Sequence, residues 1–116
     1  MGGYQDNAEY NKLVRDGIVD IIHADGLKTE TRELSSEEVV KELLLKAVEE
    51  AKELSEAEGT EEITKEMSDV LEVLHSLAER LGISMDEVEQ LRQIRAAKRG
   101  RFEKGTFLIR TYREEE

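Results

Sequence analysis

The sequence predicts an all-α protein, a small helical bundle with a short extended or strand segment near its C-terminus. Apolar residues recur at helical spacing in four stretches, and a glycine follows each of them. The chain has no proline, and 38% hydrophobic against 39% charged residues suffices for one modest core. Its 116 residues are predicted to form one domain, residues 1–116, with frayed ends at 1–9 and 113–116.

The first predicted helix covers residues 12–25 and stops before Gly26. Its apolar residues lie at helical spacing: Val14, Ile18, Ile21 and Ile22. Residues 27–34 (LKTETREL) contain alternating threonines, so we expect an extended segment there.

Two long helices follow, joined by a short turn. The second helix opens with Ser35 and Glu38 as a capping box and runs to about Glu58. Thr60 is the predicted N-cap of the third helix, which runs to Leu81.

The fourth predicted helix opens with Ser84 and Glu87 as a second capping box and runs through Arg99. Residues 106–112 (TFLIRTY) are β-branched and aromatic. This composition favours a short strand or an extended tail.

The second helix is apolar over most of its circumference. Its predicted core stripe consists of Val40, Leu43, Ala47, Ala51 and Leu54. Further apolar surface comes from Leu44, Leu45 and Val48. Four short-connected helices cannot cover so wide a surface, so we expect a homodimer or a higher homo-oligomer.

Composition excludes several classes of protein. The chain has no cysteine, which removes disulfides, zinc–thiolate sites and thiol nucleophiles, and its two histidines disfavour a Ser–His hydrolase. It has no glycine-rich phosphate loop, so it is not a P-loop NTPase. It has neither an apolar run of membrane-spanning length nor the apolar core of a signal peptide, so we expect a cytoplasmic location.

Charge is distributed unevenly. Residues 30–90 carry 19 acids and 6 bases, whereas residues 92–113 carry 8 bases and one acid. Basic side chains can simply neutralise acidic neighbours and helix C-termini. Alternatively, the acids hold a metal ion and the bases hold phosphate, as the two halves of a nucleotide site.

Four carboxylates in the two long helices support the second interpretation. Glu50-x-x-Glu53 and Glu66-x-x-Asp69 are each an i,i+3 pair on one helical face. If the helices are antiparallel about the turn, Glu50 lies level with Asp69, and Glu53 with Glu66.

The helical wheel also places Glu50 inside an apolar sector, where a carboxylate is costly unless a cation compensates it. Oxygen ligands in this number suit Mg²⁺ or Mn²⁺, the alternative being an unpaired acidic surface.

These residues resemble the signature of the MazG-like all-α nucleoside triphosphate pyrophosphohydrolases, with Glu49-Glu50-x-x-Glu53 followed by Glu66-x-x-Asp69. Residues 10–16 (YNKLVRD) and 98–104 (KRGRFEK) look like the small phosphoribosyl-ATP pyrophosphohydrolase-like branch. The resemblance extends over about residues 10–109. Gly17 and Val19 depart from it, since this branch tends to have a basic residue and a proline there. A phosphate contact from position 17 is therefore absent, and the first helix is expected to start differently.

The resemblance implies a four-helix MazG-like bundle that binds Mg²⁺ and cleaves between the α- and β-phosphates. The expected metal ligands are Glu50, Glu53, Glu66 and Asp69. Glu49 is the candidate general base, with a solvent-facing helix acid as the alternative. The candidate phosphate ligands are the basic residues Lys12, Arg15, Lys98, Arg99 and Lys104.

The leading hypothesis is hydrolysis of a nucleoside triphosphate to monophosphate and pyrophosphate, as in the removal of non-standard nucleotides. Phosphoribosyl-ATP hydrolysis in histidine biosynthesis is an alternative, although residues 69–73 (DVLEV) lack the tyrosine–histidine continuation expected of a dedicated enzyme. A non-catalytic helical interaction module is a third interpretation. Nucleic-acid binding is disfavoured by the acidic body and by an aromatic content of 4%.

Overall fold

A computed structural model describes residues 3–115. Within this range the regular structure is entirely helical and forms no strand. The four helices are α1 (Ile18–Ala24), α2 (Ser36–Glu56), α3 (Thr60–Leu81) and α4 (Met85–Arg99). The predicted all-α class and the number of helices are confirmed.

The chain divides into two compact units, Met1–Gly82 and Ile83–Glu116. The first unit contains α1 to α3 and the second contains α4 and the C-terminal segment. That both units belong to one domain stays a prediction. Residues 1, 2 and 116, which form part of the predicted frayed ends, lie outside the described residues.

The first unit is built around the hairpin of α2 and α3, which pack against each other. The capping box predicted before α2 is present: Ser35 Oγ accepts from the Glu38 N–H, and the Glu38 carboxylate accepts from the Ser35 N–H. Gly59, with φ 81° and ψ 152°, is the N-cap of α3, so the prediction of Thr60 in that position is wrong by one residue. The turn between the helices needs a backbone conformation that only glycine adopts readily.

The core of the first unit is small. Three apolar side chains from the two helices are buried together: Val39, Leu43 and Val73. Partly buried residues pack around them, namely Leu13, Leu34, Ala47 and Leu77. Ala51, predicted as core, is exposed, since it lies eight residues after Leu43 and is therefore turned about 80° around α2 from that buried residue.

The first helix is shorter than predicted. It begins at Ile18 with Gly17 as its N-cap, so residues 12–16 are not helical. Asn11 has φ 47°, which is incompatible with a helix starting there. Leu13 instead reaches the core from an irregular segment. That α1 starts differently from the helix of the resembling branch stays a prediction.

The second unit differs from prediction in two places. Ser84 Oγ accepts from the N–H of Asp86, so the predicted capping box with Glu87 is wrong, although Ser84 is the N-cap of α4. Of the two alternatives predicted for residues 106–112, the strand is wrong: these exposed residues form none, because a strand needs a neighbour for its hydrogen bonds. The extended tail stays a prediction. Along residues 3–115, no helix combines the length and apolar character needed to cross a bilayer.

Candidate metal centre

Three carboxylates converge on one side of the α2–α3 hairpin. Glu50, Glu53 and Glu66 each offer one oxygen, and these oxygens all lie within 4.8 Å of one another. The i,i+3 spacing brings the two α2 acids to one face, and the turn at Gly59 brings α3 back beside them. The sequence predicted this convergence, and for these three residues it is confirmed.

Two of these carboxylates are partly removed from water. Glu50 and Glu66 are partly buried, and the Glu66 side chain is 12% exposed. In each, the Oε2 atom is buried and has no hydrogen-bond partner. A buried acceptor without a partner is costly, and a group that supplies positive charge would offset this cost.

The surroundings of Glu50 change its protonation. Burial, together with the neighbouring Glu53 and Asp69, raises the pKa of Glu50 to about 6, whereas Lys46 opposes the change. The site is therefore short of positive charge, which a divalent cation would provide.

Asp69, the fourth predicted ligand, has partners of its own. Arg15 Nη2 donates to Asp69 Oδ1 at 3.0 Å, and Lys65 Nζ lies 3.9 Å from Asp69 Oδ2. Its side chain is 26% exposed. Asp69 lies close enough to raise the pKa of Glu50, but it does not belong to the group of three oxygens.

The carboxylate group fits a hard divalent cation. Its donors are all oxygens, and two of them are buried without another partner. Mg²⁺ and Mn²⁺ prefer such ligands and keep coordination positions open for water and phosphate. The acidic cluster can therefore hold a metal ion of this type.

Glu49 lies outside this cluster. Its carboxylate is 47% exposed and lies 3.9 Å from Lys46 Nζ. Nothing in this arrangement prevents it from accepting a proton from water at the rim, and its role as a general base stays a prediction.

The predicted phosphate ligands are distributed over both units. Lys12 and Arg15 lie in the irregular segment before α1, and Arg15 reaches the site through Asp69. Lys98 and Arg99 occupy the last turn of α4, and Lys104 follows it. The three residues of the second unit are exposed, and their contact with phosphate stays a prediction.

Sequence reasoning missed two lysines beside the carboxylates. Lys65 Nζ lies 3.5 Å from Glu66 Oε1, and the charges of Glu66 and Asp69 raise the pKa of Lys65. Lys46 is 19% exposed and lies near Glu49. Each stands within one helical turn of a predicted ligand, and this spacing was the available signal.

The fold and site define an all-α protein with a carboxylate cluster of the metal-binding type on a helical hairpin. The family of phosphoribosyl-ATP pyrophosphohydrolases matches residues 23–95, which is more than half of the chain. The chain belongs to this family, whose description names a hydrolase of phosphoric anhydrides, and the predicted resemblance is confirmed. Residues 10–16 and 98–104, which also suggested it, lie outside the match. No curated protein and no solved structure gave a significant match.

Proposed function

We propose that the chain is a Mg²⁺-dependent nucleotide pyrophosphohydrolase. It cleaves the α–β phosphoanhydride of a nucleoside triphosphate and releases a monophosphate and pyrophosphate. The observation that carries this proposal is the pair of buried, unpartnered oxygens of Glu50 and Glu66 within a cluster of three carboxylates. Such a pair is costly in a purely structural role and is useful for holding a cation.

In this proposal Glu50, Glu53 and Glu66 hold the ion, and Asp69 completes the ligand set. Bound Mg²⁺ or Mn²⁺ would neutralise phosphate charge and lower the pKa of a water molecule bound to it. Glu49 accepts the proton from the attacking water at the exposed rim. The phosphates are bound by basic residues of the segment before α1, of the last turn of α4 and of the segment after it: Lys12, Arg15, Lys98, Arg99 and Lys104.

Phosphoribosyl-ATP is the second candidate substrate, because the matching family is described by that reaction. Its hydrolysis breaks the same type of bond, so the ligand set and the general base keep their roles. The same hydrolysis of an α–β phosphoanhydride would thus serve either to remove non-standard nucleotides or as a step in histidine biosynthesis.

We further infer that the protein works as a homodimer or a higher homo-oligomer in the cytoplasm. Apolar side chains of the hairpin remain widely exposed, between 41% and 70% of their surface: Leu44, Leu45, Val48, Met67, Leu71 and Leu74. On α2, Val48 and Glu50 are two residues apart and therefore point to nearly opposite sides of the helix. A second copy can cover the apolar side and leave the carboxylates open.

Product analysis tests the proposal. The purified chain is incubated with standard and modified nucleoside triphosphates and with phosphoribosyl-ATP, with and without Mg²⁺. We expect a monophosphate (or its phosphoribosyl equivalent) and pyrophosphate only when Mg²⁺ is present. Glu50→Gln should reduce turnover by at least about a hundredfold, since it removes a metal ligand.

Glu56→Gln is the matched control, because Glu56 is an exposed acid on the same helix, outside the carboxylate cluster. It should keep full activity. Glu50→Gln should remain folded, since it replaces a carboxylate that is held in unfavourable surroundings. A folded protein without turnover on any substrate would contradict the proposal and favour a non-catalytic interaction module.

A further inference from the structure

Asp69 has a basic partner beside each of its two carboxylate oxygens, whereas Glu50 and Glu66 of the neighbouring carboxylate cluster do not. Arg15 Nη2 lies 3.0 Å from one carboxylate oxygen of Asp69, and Lys65 Nζ lies 3.9 Å from the other. In contrast, Glu50 and Glu66 each keep one buried oxygen without a partner. A cation could therefore bind these free oxygens of Glu50 and Glu66 directly, whereas both oxygens of Asp69, the fourth predicted ligand, already have basic partners.

Arg15 reaches Asp69 from a different part of the first unit. The two residues are 54 positions apart, and Arg15 lies in the irregular segment between Asn11 and α1. Leu13 anchors this segment in the core, so the backbone near Arg15 is held close to α3. The ion pair is well exposed on the Arg15 side, at 61%. Exposed ion pairs contribute little to stability and exchange partners easily.

A divalent cation beside Asp69 would face the guanidinium charge of Arg15 directly. The positive charges of the cation and of the guanidinium group would repel each other. An oxygen of Asp69 that binds both groups would also bind each of them more weakly. Phosphate removes the conflict, because guanidinium groups bind phosphate oxygens in the same forked geometry as carboxylates. An exchange from Asp69 to phosphate would leave Arg15 paired with phosphate and Asp69 paired with the metal ion.

We propose that Arg15 competes with the metal ion for Asp69 and releases it when phosphate arrives. This inference rests on the proposed function, since it assumes that the carboxylates hold a divalent cation. Arg15 then lowers the affinity of the empty protein for metal and couples metal binding to phosphate binding. It acts as a positioning residue for Asp69.

A binding measurement with Mn²⁺ tests this inference, in which electron paramagnetic resonance detects the unbound ion. For Arg15→Gln we expect tighter binding of Mn²⁺ alone, by about three- to tenfold, because a competing charge is removed. Added pyrophosphate should strengthen Mn²⁺ binding in the wild type and much less in Arg15→Gln. Arg15→Lys, which keeps the charge, should stay close to the wild type.

Arg32→Gln is the matched control, since Arg32 also forms an exposed ion pair, with Glu38 at 3.1 Å. Glu38 lies twelve residues before Glu50 on α2, about 18 Å along the helix. This variant should bind Mn²⁺ as the wild type does. Circular dichroism checks that each variant is folded.

Hydrogen exchange gives a second measurement, independent of affinity. At saturating Mn²⁺ without pyrophosphate, backbone exchange in residues 12–16 of the wild type should be faster than in the metal-free protein, because the contact to Asp69 is lost. Equal Mn²⁺ affinity in Arg15→Gln and the wild type would overturn the inference and leave the proposed function intact. Absence of Mn²⁺ binding in every variant would instead overturn the proposed function and, with it, this inference.

Discussion

Glu50 shows how a single residue links the charge of the site to pH. Burial and two acidic neighbours raise its pKa from 4.5 to about 6 in the folded chain, whereas the unfolded chain keeps the ordinary value. Between these two values the folded chain binds more protons than the unfolded chain. The free energy of unfolding without metal should therefore contain a contribution from Glu50 that falls as pH rises from about 4.5 to 6.

Urea unfolding at several pH values, with chelator present, measures this contribution. Glu50→Gln cannot titrate at this position and should lose part of the decline between about pH 4.5 and 6. Above pH 6 the variant should be more stable than the wild type. The expectation fails if both proteins show the same pH profile.

Among the elements, the turn between α2 and α3 depends on the backbone of Gly59. Gly59 has φ 81°, and a Cβ placed there would meet no atom within 4 Å. Gly59→Ala should therefore be destabilised by about 1–3 kcal/mol through backbone strain alone. Gly17 has equally open surroundings but φ −81°, so Gly17→Ala should be stabilised by about 0.4–1 kcal/mol.

Thermal or urea unfolding of the two alanine variants compares these positions directly. Both substitutions add one methyl group in open space, so a difference in sign isolates the effect of φ. If Gly59→Ala proves as stable as the wild type, the turn has another accessible conformation and the argument is wrong.

The elements also show which parts of the fold were predictable. The capping box at Ser35 and the end of α3 at Gly82 followed from local residue chemistry, and both were correct. The start of the first helix was predicted wrongly, because the backbone of Asn11 and the packing of Leu13 on the core outweighed the apolar periodicity. Of the two alternatives for residues 106–112, a strand or an extended tail, the strand is absent for a related reason, since composition cannot supply a neighbouring strand.

For the site, antiparallel register brought Glu50, Glu53 and Glu66 together as predicted. The register of two antiparallel helices follows from their spacing and from the position of the turn, and both can be predicted from the sequence. The engagement of Asp69 by Arg15 depends on the path of an irregular segment, for which no periodicity exists. Contacts made by such segments therefore could not be predicted from the sequence and were found only in the structure.

On the scale of the whole molecule, assembly has a direct test. Val48 is 70% exposed on the apolar side of α2, so in a monomer Val48→Asp would change stability by no more than about 0.5 kcal/mol. In a homodimer that covers this surface, the same change buries a charge and should dissociate the assembly. Sedimentation velocity at micromolar concentrations distinguishes the two cases.

Glu72→Lys serves as the control, because Glu72 is exposed on α3 and lies about 100° or more from Met67, Leu71 and Leu74 on the helical wheel. It should sediment as the wild type does. The melting temperature of the wild type should also rise with concentration, as expected when folding is coupled to association. A wild type that is monomeric and equally stable at all concentrations would rule out the proposed assembly.

The placement of the three clustered carboxylates within residues 50–66, on either side of one turn, has a consequence for folding kinetics. Contacts between residues close in sequence cost little chain entropy, so the hairpin should close early and quickly. The acids repel one another as it closes, and this repulsion raises the barrier to folding. Protons at low pH, or divalent ions at neutral pH, would lower that barrier. The chain should consequently refold fastest under the conditions that neutralise its own site.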